Sequence, residues 1–235
     1  MPTFEAEHEL VEVTKTYVQG RRQVQAVRGV SLRIAAGEFV SIMGPSGSGK
    51  STLMHLLGGL DTPTTGKALF WGEDLATLTD RQRSLLRRHR IGFVFQFFNL
   101  LPTLTASENV ALPLLLAGVS RREGRKRAEA ALDRVGLLKR ADHFPEEMSG
   151  GEMQRAAIAR ALVTNPEAVL CDEPTGNLDS TNAAEVLALL RSLPEPGKRA
   201  VVMVTHDRTA AEYGDRLIVI RDGLIESDRP INHAV

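Results

Sequence analysis

The sequence predicts an α/β protein with a partly parallel sheet, an antiparallel β lobe and an inserted helical subdomain. Two observations support this fold class. Short apolar runs alternate with helical patterns along most of the chain, and the stretch 97–162 has helical patterns without a convincing strand. We therefore predict a single domain over residues 1–235. Within it, 1–96 and 163–235 form the α/β core, and 97–162 form the helical subdomain.

The strands are predicted in chain order from their apolar composition. ELVEV and SLRI come first, near turn signals at Gly20 and Gly29, and are expected to form the antiparallel lobe. The remaining strands are predicted from the segments EFVSIM, KALFWG, IGFVF, EAVLC, RAVVMVT and DRLIVI. EFVSIM runs directly into a glycine-rich turn and a helical pattern, which indicates a ligand site at that end of the strand.

The helical subdomain is predicted from SENVALPLLLAG, from SRREGRKRAEAALDRVGLL and from a helix that begins at Ser149. The charges of the second segment indicate the solvated face of an amphipathic helix. In the third segment, Ser149 and Glu152 form the S-x-x-E pattern of a capping box. Gly150 and Gly151 occupy its first turn, although each costs about 1 kcal/mol of helix stability relative to alanine. We therefore expect a functional reason for both glycines.

The composition of the chain disfavours several classes of protein. Lys+Arg and Asp+Glu both number 29, so the formal net charge is zero and a nucleic-acid partner is not expected. The single cysteine, Cys171, excludes an internal disulfide and fits a reducing compartment. No apolar run reaches the length of a membrane span, and MPTFEAEHEL lacks a signal-peptide core. We expect a soluble cytoplasmic chain whose membrane role depends on a partner.

A phosphate-binding loop is predicted between the strand EFVSIM and the helix that follows it. The segment GPSGSGKST matches G-x-x-x-x-G-K-[ST] in this strand–turn–helix context. Its glycines allow consecutive backbone N–H groups to face phosphate oxygens, and the helix adds its positive dipole end. Lys50 is expected to reach the β- and γ-phosphates, and the Ser51 hydroxyl to ligate Mg²⁺. The predicted nucleotide-binding residues of this loop are Gly44, Pro45, Ser46, Gly47, Ser48, Gly49, Lys50, Ser51 and Thr52.

Polar residues also follow three other predicted strands. AVLCDEP ends with Asp172, which suits Mg²⁺ at the carboxyl edge of an open sheet. The next residue, Glu173, is placed to polarise a water that attacks the γ-phosphate. His206 ends another buried strand and is interpreted as a γ-phosphate contact. Gln96 follows IGFVF with a neutral amide for Mg²⁺ or its water. Cys171, in contrast, is interpreted as a core residue.

Together these motifs resemble those of the ATP-binding-cassette ATPases, and the resemblance covers nearly the whole chain. It implies a P-loop NTPase (RecA-like) core that binds ATP and Mg²⁺ and hydrolyses ATP. In the family's terms, Gly44–Thr52 corresponds to Walker A and Ala168–Glu173 to Walker B. The other motifs correspond to Gln96 (Q-loop), SGGEMQR from Ser149 (signature), GNLD ending at Asp179 (D-loop), His206 (switch histidine) and Tyr17 (the aromatic that stacks on adenine).

The signature segment departs from the family pattern at two positions. Met148 stands where leucine is usual, and Glu152 stands where glutamine is frequent. The resemblance implies that this helix start faces the ATP of a partner chain, so that a homodimer encloses two ATP molecules head to tail. Ser149, Gly150 and Gly151 would then approach the partner's γ-phosphate, where a Cβ would obstruct the helix N–H groups.

A narrower resemblance lies in GFVFQFFNLLPTLTASENVALPL, which is similar to the branch that pairs with permeases of the lipoprotein-releasing and macrolide-export type. The apolar cluster Phe97, Phe98, Leu100 and Leu101 follows Gln96 directly. We expect this cluster to be exposed and to contact a cytoplasmic helix of the permease. The alternative is that these residues belong to the core of the helical subdomain.

Three functions remain open at this point. The leading one is the ATPase subunit of a membrane transporter, held at the cytoplasmic face of the cell membrane by integral-membrane permease subunits. The second is a mechanotransmission ATPase that regulates cell-wall enzymes through a membrane partner. The third, a soluble cassette ATPase acting on DNA or ribosomes, is disfavoured by the zero net charge, the single cassette and the absence of long coiled-coil heptads.

Overall fold

The computed structural model describes residues 6–20 and 22–233, so the ends of the predicted domain, 1–5 and 234–235, lie outside it. In these described residues the chain forms ten strands and seven α-helices. The strands are β1 (Ala6–Gln19), β2 (Arg22–Ala35), β3 (Phe39–Met43), β4 (Thr65–Phe70), β5 (Glu73–Asp74), β6 (Ile91–Phe95), β7 (Ala168–Asp172), β8 (Ala200–Thr205), β9 (Arg216–Arg221) and β10 (Leu224–Pro230). The helices are α1 (Lys50–Leu57), α2 (Asp80–Arg90), α3 (Ala106–Leu116), α4 (Arg121–Arg134), α5 (Gly150–Leu162), α6 (Ser180–Arg191) and α7 (Arg208–Ala211).

The strands of the described residues form two sheets. Six strands lie in the order β10-β9-β3-β8-β7-β6, and all neighbours are parallel except β10 and β9. The other four form an antiparallel sheet in the order β2-β1-β4-β5. The predicted fold class, a parallel α/β core with an antiparallel lobe, is confirmed.

The antiparallel lobe is longer than the sequence patterns indicated. ELVEV and SLRI are only parts of β1 and β2, which pair from Ala6 and Ala35 down to a turn that contains Gly20. Gly29 was expected at a turn, and this prediction is wrong. It lies inside β2, where the pairing with β1 slips by one residue. This slip is a β-bulge, in which one extra residue is accommodated without ending the strand.

Buried side chains on both faces of the parallel sheet hold the core together. On one face, α1 packs between the two sheets and buries Leu53 and Leu57. On the other face, α5 and α6 pack against β7 and β8. A separate cluster joins α3, α4 and α5. Helix α5 contributes to two of these clusters, because Ile158 packs against the sheet with α6, whereas Ala156 and Ala159 pack with α3 and α4.

The sequence analysis did not predict α2 or α6. Helix α2 is so polar that Leu86 is its one buried residue among those described, which leaves no apolar stripe for a periodicity argument. Its start does carry a signal, since Thr79 and Gln82 form a capping box. Within residues 6–20 and 22–233, none of the helices combines the length and apolar composition that crossing a bilayer requires.

Candidate active site

Four of the predicted functional residues lie after neighbouring strands, at one edge of the parallel sheet. Strands β3, β8, β7 and β6 are neighbours, and the segments after their carboxyl ends carry Lys50, His206, Glu173 and Gln96 respectively. Ligands of open α/β sheets bind outside this edge. The order of the strands therefore brings together side chains that are up to 156 positions apart in the sequence (Lys50 and His206).

The glycine-rich loop after β3 begins helix α1 without a side-chain cap. Pro45, Ser46 and Gly47 are exposed at the tip of the loop. Gly49 occupies the N-cap position in the left-handed region at φ 103°, and a Cβ there would lie 2.3 Å from the Ala26 carbonyl oxygen. Only glycine satisfies both conditions. Because no side chain in the described part of the chain caps this helix, the N–H groups of its first turn remain available to an anion.

Charged and polar side chains of the loop are held close to this helix start. Lys50 is 7% exposed, and its Nζ donates to the Pro45 carbonyl oxygen at 3.0 Å. The Ser48 hydroxyl is buried and has no hydrogen-bond partner among the residues that the structure describes. The Ser48 carbonyl oxygen accepts from the Gly223 N–H at 3.0 Å, which ties the loop to the turn between β9 and β10. Thr52 follows in the first turn of the helix.

Ser51 and Asp172 form an oxygen-rich pair beside the loop. The Ser51 hydroxyl donates to Asp172 Oδ1 at 3.3 Å. Burial raises the pKa of Asp172, while His55 and the Ser51 hydrogen bond act in the opposite direction. Among the described residues, no three His, Cys, Asp or Glu side chains converge as a complete metal cage. A hydroxyl and a carboxylate suit Mg²⁺, which commonly takes few protein ligands and completes its shell with phosphates and water.

Glu173 and His206 are hydrogen-bonded to each other. Glu173 has φ 47°, an unusual value for a residue other than glycine, and its N–H donates to the Val204 carbonyl oxygen at 2.9 Å. Its Oε1 lies 2.9 Å from His206 Nδ1, and its Oε2 accepts from the His206 N–H at 3.3 Å. The carboxylate is thus oriented at two points. Backbone strain of this kind is concentrated at functional sites.

Gln96 contacts the GNLD segment. Its Nε2 donates to Asn177 Oδ1 at 3.3 Å, and Asn177 Nδ2 donates back to the Gln96 carbonyl oxygen at 3.0 Å. Asn177 was not predicted as a functional residue, because an asparagine in a turn gives no distinguishing signal. Asp179 caps α6 by accepting from the Asn182 N–H at 3.0 Å, and this hydrogen bond lowers the pKa of Asp179.

The capping box at the start of α5 is confirmed. Ser149 Oγ accepts from the Glu152 N–H at 3.2 Å, and Glu152 Oε2 accepts from the Ser149 N–H at 2.8 Å. A Cβ on Gly151 would lie 1.9 Å from Asn182 Oδ1, so packing within the chain already favours glycine there. A Cβ on Gly150 would make only ordinary contacts, the nearest at 3.5 Å. Internal packing therefore explains Gly151 but leaves Gly150 unexplained.

Tyr17 lies on β1 with its hydroxyl engaged. The hydroxyl donates to Asp61 Oδ2 at 2.9 Å, and Lys15 Nζ lies 5.1 Å from the ring centroid. Burial raises the pKa of Tyr17, and a hydrogen bond with Thr52 opposes this shift. The interaction with Thr52 brings the hydroxyl end of Tyr17 near the first turn of α1.

A groove of about 570 Å³ separates the helical subdomain from the core. Apolar side chains and three arginines line it, among them Leu60, Phe93, Leu101, Leu116, Arg87, Arg88 and Arg160. Leu101, which lines the groove, is 47% exposed, and Phe97, which is not among the lining residues, is 71% exposed. Phe98 and Leu100 are half-buried, and Leu100 packs against the helical core. The prediction of an exposed cluster therefore holds for Phe97 and Leu101 and is wrong for the other two.

The chain is similar along most of its length to known proteins. The ABC transporter family profile matches residues 27–176. An uncharacterized ABC transporter ATP-binding protein of Thermotoga maritima is 52% identical over 218 residues, which cover 93% of this chain and 93% of that protein. The lipoprotein-releasing system ATP-binding protein LolD of Legionella pneumophila is 49% identical, with coverage of 89% of this chain and 92% of LolD.

Longer relatives and solved structures are similar as well. The macrolide export ATP-binding/permease protein MacB of Brucella melitensis is 52% identical, but the aligned region covers 93% of this chain and only 34% of MacB. The chain thus spans about a third of the length of that relative. The ATP-binding cassette MJ0796, solved as a post-hydrolysis dimer bound to ADP and Pi, has a TM-score of 0.88 at 45% identity, with coverage of 97% of this chain and 100% of that chain.

Proposed function

The chain belongs to the ABC transporter family, and from this we propose that its ATPase drives a membrane permease of the lipoprotein-releasing or macrolide-export type. It is an ATP-binding subunit that hydrolyses ATP to ADP and phosphate, and two copies form the working dimer. The observation that carries the proposal is the convergence of Lys50, Asp172, Glu173 and His206 at one sheet edge.

Each of these side chains has a chemical role in hydrolysis. Lys50 and the uncapped N–H groups of α1 hold the β- and γ-phosphates. Glu173 accepts a proton from the attacking water, and the two hydrogen bonds from His206 fix the direction of its carboxylate. The His206 side chain is largely exposed and so is free to contact the γ-phosphate. Mg²⁺, when bound, would be held by Ser51, Asp172 and Gln96 and would neutralise phosphate charge.

The remaining predicted residues complete the site in the dimer. Tyr17, next to Thr52, supports the adenine ring from one chain. Ser149, Gly150 and Gly151 approach the γ-phosphate bound by the partner chain, which gives Gly150 the reason that internal packing does not supply. Asp179 holds the start of α6 beside this region.

The permease is proposed to dock on the groove between the core and the helical subdomain. Most of the groove lining is apolar and includes the exposed Leu101, and the exposed Phe97 directly follows Gln96. An amphipathic cytoplasmic helix fits such a groove. Contact with the permease would hold the chain at the cytoplasmic face of the membrane. A movement of Gln96 on γ-phosphate binding would be transmitted directly to the docked helix.

The test is Glu173→Gln, with Glu212→Gln as a matched exposed control. The amide keeps the shape of the carboxylate but cannot accept the proton, so turnover should fall about 10²- to 10⁴-fold. The variant should accumulate an ATP-bound dimer on size exclusion, whereas Lys50→Ala should weaken nucleotide binding itself. Co-purification from detergent-solubilised membranes then identifies the permease. Undiminished turnover in Glu173→Gln would remove this residue from the chemistry.

A further inference from the structure

Helix α5 begins with a negative charge at the point where the proposed function places the partner's triphosphate. Glu152 lies in the first turn, and its Oε2 is bound by the Ser149 N–H at 2.8 Å. Its carboxylate cannot turn away without opening the capping box. Hydrogen bonding to Ser149 is the main cause that lowers the pKa of Glu152, and the nearby Arg140 adds to it, so the group is ionised at neutral pH.

This charge opposes the binding of an anion. The N-terminal end of a helix carries the equivalent of about half an elementary positive charge. A full negative charge on Glu152 exceeds it, so the helix start would repel a triphosphate unless another cation compensated. Glutamine, which is frequent at this position in the family, brings no such charge. The departure at Glu152 therefore requires a compensating residue.

Arg140 is positioned to provide that compensation. It lies in the short 3₁₀ segment Leu138–Arg140 that precedes α5, and its Nε donates to Glu152 Oε1 at 3.0 Å. Its Nη1 lies 3.0 Å from His143 Nε2, which holds the guanidinium from a second side. Both oxygens of Glu152 are thus occupied, one by a backbone N–H and one by a cation.

We propose that Arg140 is a positioning residue of the composite site, which neutralises Glu152 so that α5 can accept the nucleoside triphosphate bound by a second copy of this chain. The inference rests on the proposed function. It adds a residue outside the motifs, and it explains how a glutamate is tolerated in the first turn of an anion-binding helix.

The experiment measures ATP-driven dimerisation in the Glu173→Gln background, with the ATP concentration at half-maximal dimer as the readout. Arg140→Ala should raise this concentration at least 10-fold, because Glu152 is then an uncompensated anion. Arg140→Lys should raise this ATP concentration by a smaller factor, since lysine keeps the positive charge. Glu152→Gln should dimerise at the same or lower ATP, because glutamine can also close the capping box. In the double variant Arg140→Ala/Glu152→Gln, the ATP concentration at half-maximal dimer should lie within about threefold of the Glu152→Gln value, because the uncompensated negative charge is gone.

Two controls separate charge compensation from folding. Arg125→Ala removes another exposed arginine of the same subdomain, one paired with Glu129 and Asp142, and should leave dimerisation unchanged. Nucleotide binding by the monomer, measured with a fluorescent ATP analogue, should be unaffected in every Arg140 variant. If Arg140→Ala dimerises normally, or if Glu152→Gln fails to rescue it, the inference is overturned. If no dimer forms even with Arg140 intact, the proposed function itself fails.

Discussion

The adjacent glycines at the start of α5 lead to opposite predictions for stability. In Gly151→Ala, the new Cβ would lie 1.9 Å from Asn182 Oδ1 and 2.5 Å from its Cγ. The Asn182 side chain must then move and give up its 2.6 Å hydrogen bond to Asp179 Oδ2. Overpacking of this kind costs about 1–3 kcal/mol, and the gain in helix propensity returns about 1 kcal/mol. The net loss is about 1 kcal/mol, which lowers the melting temperature by about 2–4 °C.

In Gly150→Ala the new methyl group finds space, because its nearest neighbour would be Leu178 at 3.5 Å. The helix then gains up to about 1 kcal/mol, which raises the melting temperature by about 2–4 °C. The assay is thermal unfolding of the nucleotide-free chain, followed by circular dichroism. Both variants should lose ATP-driven dimerisation in the Glu173→Gln background, although only one of them is destabilised.

A suppressor completes this test. Asn182→Ala removes the two closest contacts, so the pair Gly151→Ala/Asn182→Ala should recover most of the lost stability without recovering the dimer. The reasoning would be refuted by equal melting temperatures for the two single variants. It would also be refuted if the suppressed double variant dimerised normally, since Gly151 would then serve only internal packing.

Two further predictions concern the groove and the cysteine. The double variant Phe97→Ser/Leu101→Ser should keep its basal ATPase activity and melting temperature but lose permease-dependent stimulation, because an apolar interface anchor contributes about 2 kcal/mol or more. Phe98→Ser, at a half-buried position, should instead lower the melting temperature. An equal loss of stability in both proteins would contradict docking at the exposed residues. Cys171 is fully buried in β7, and burial raises the pKa of its thiol. The thiol should therefore react with maleimide at pH 8 only after the chain unfolds. Rapid labelling of the native protein would contradict its place in the core.

Candidate site residues could be predicted from the sequence where a motif directly follows its strand. Lys50, Asp172 and His206 each follow a strongly apolar strand, and parallel strands deliver their carboxyl ends to one edge whatever their order. The capping box of α5 could also be predicted, because Ser149 and Glu152 are only three residues apart. Helix α2 was missed because a polar surface helix has no apolar period, and the bulge at Gly29 was missed because it depends on the pairing of two strands.

The contacts that the sequence could not reveal all join separate motifs. Gln96 is hydrogen-bonded to Asn177 of the GNLD segment. Asn182, in the first turn of α6, is hydrogen-bonded to Asp179 and fills the space beside Gly151. These are distances between side chains on different elements, and no spacing along the chain encodes them.

The same contacts connect the chain's own sheet edge with the start of α5. The GNLD segment and the start of α6 lie between Gln96, at the chain's own sheet edge, and Gly151, at the helix start proposed to face the partner's ATP. A displacement of this segment must therefore change the surroundings of both ends. Because α5 packs against the parallel sheet on one side and against α3 and α4 on the other, such a displacement also acts on the helical subdomain. If the permease changes the affinity for ATP at one of these ends, linkage requires ATP at that end to change the affinity for the permease by the same factor.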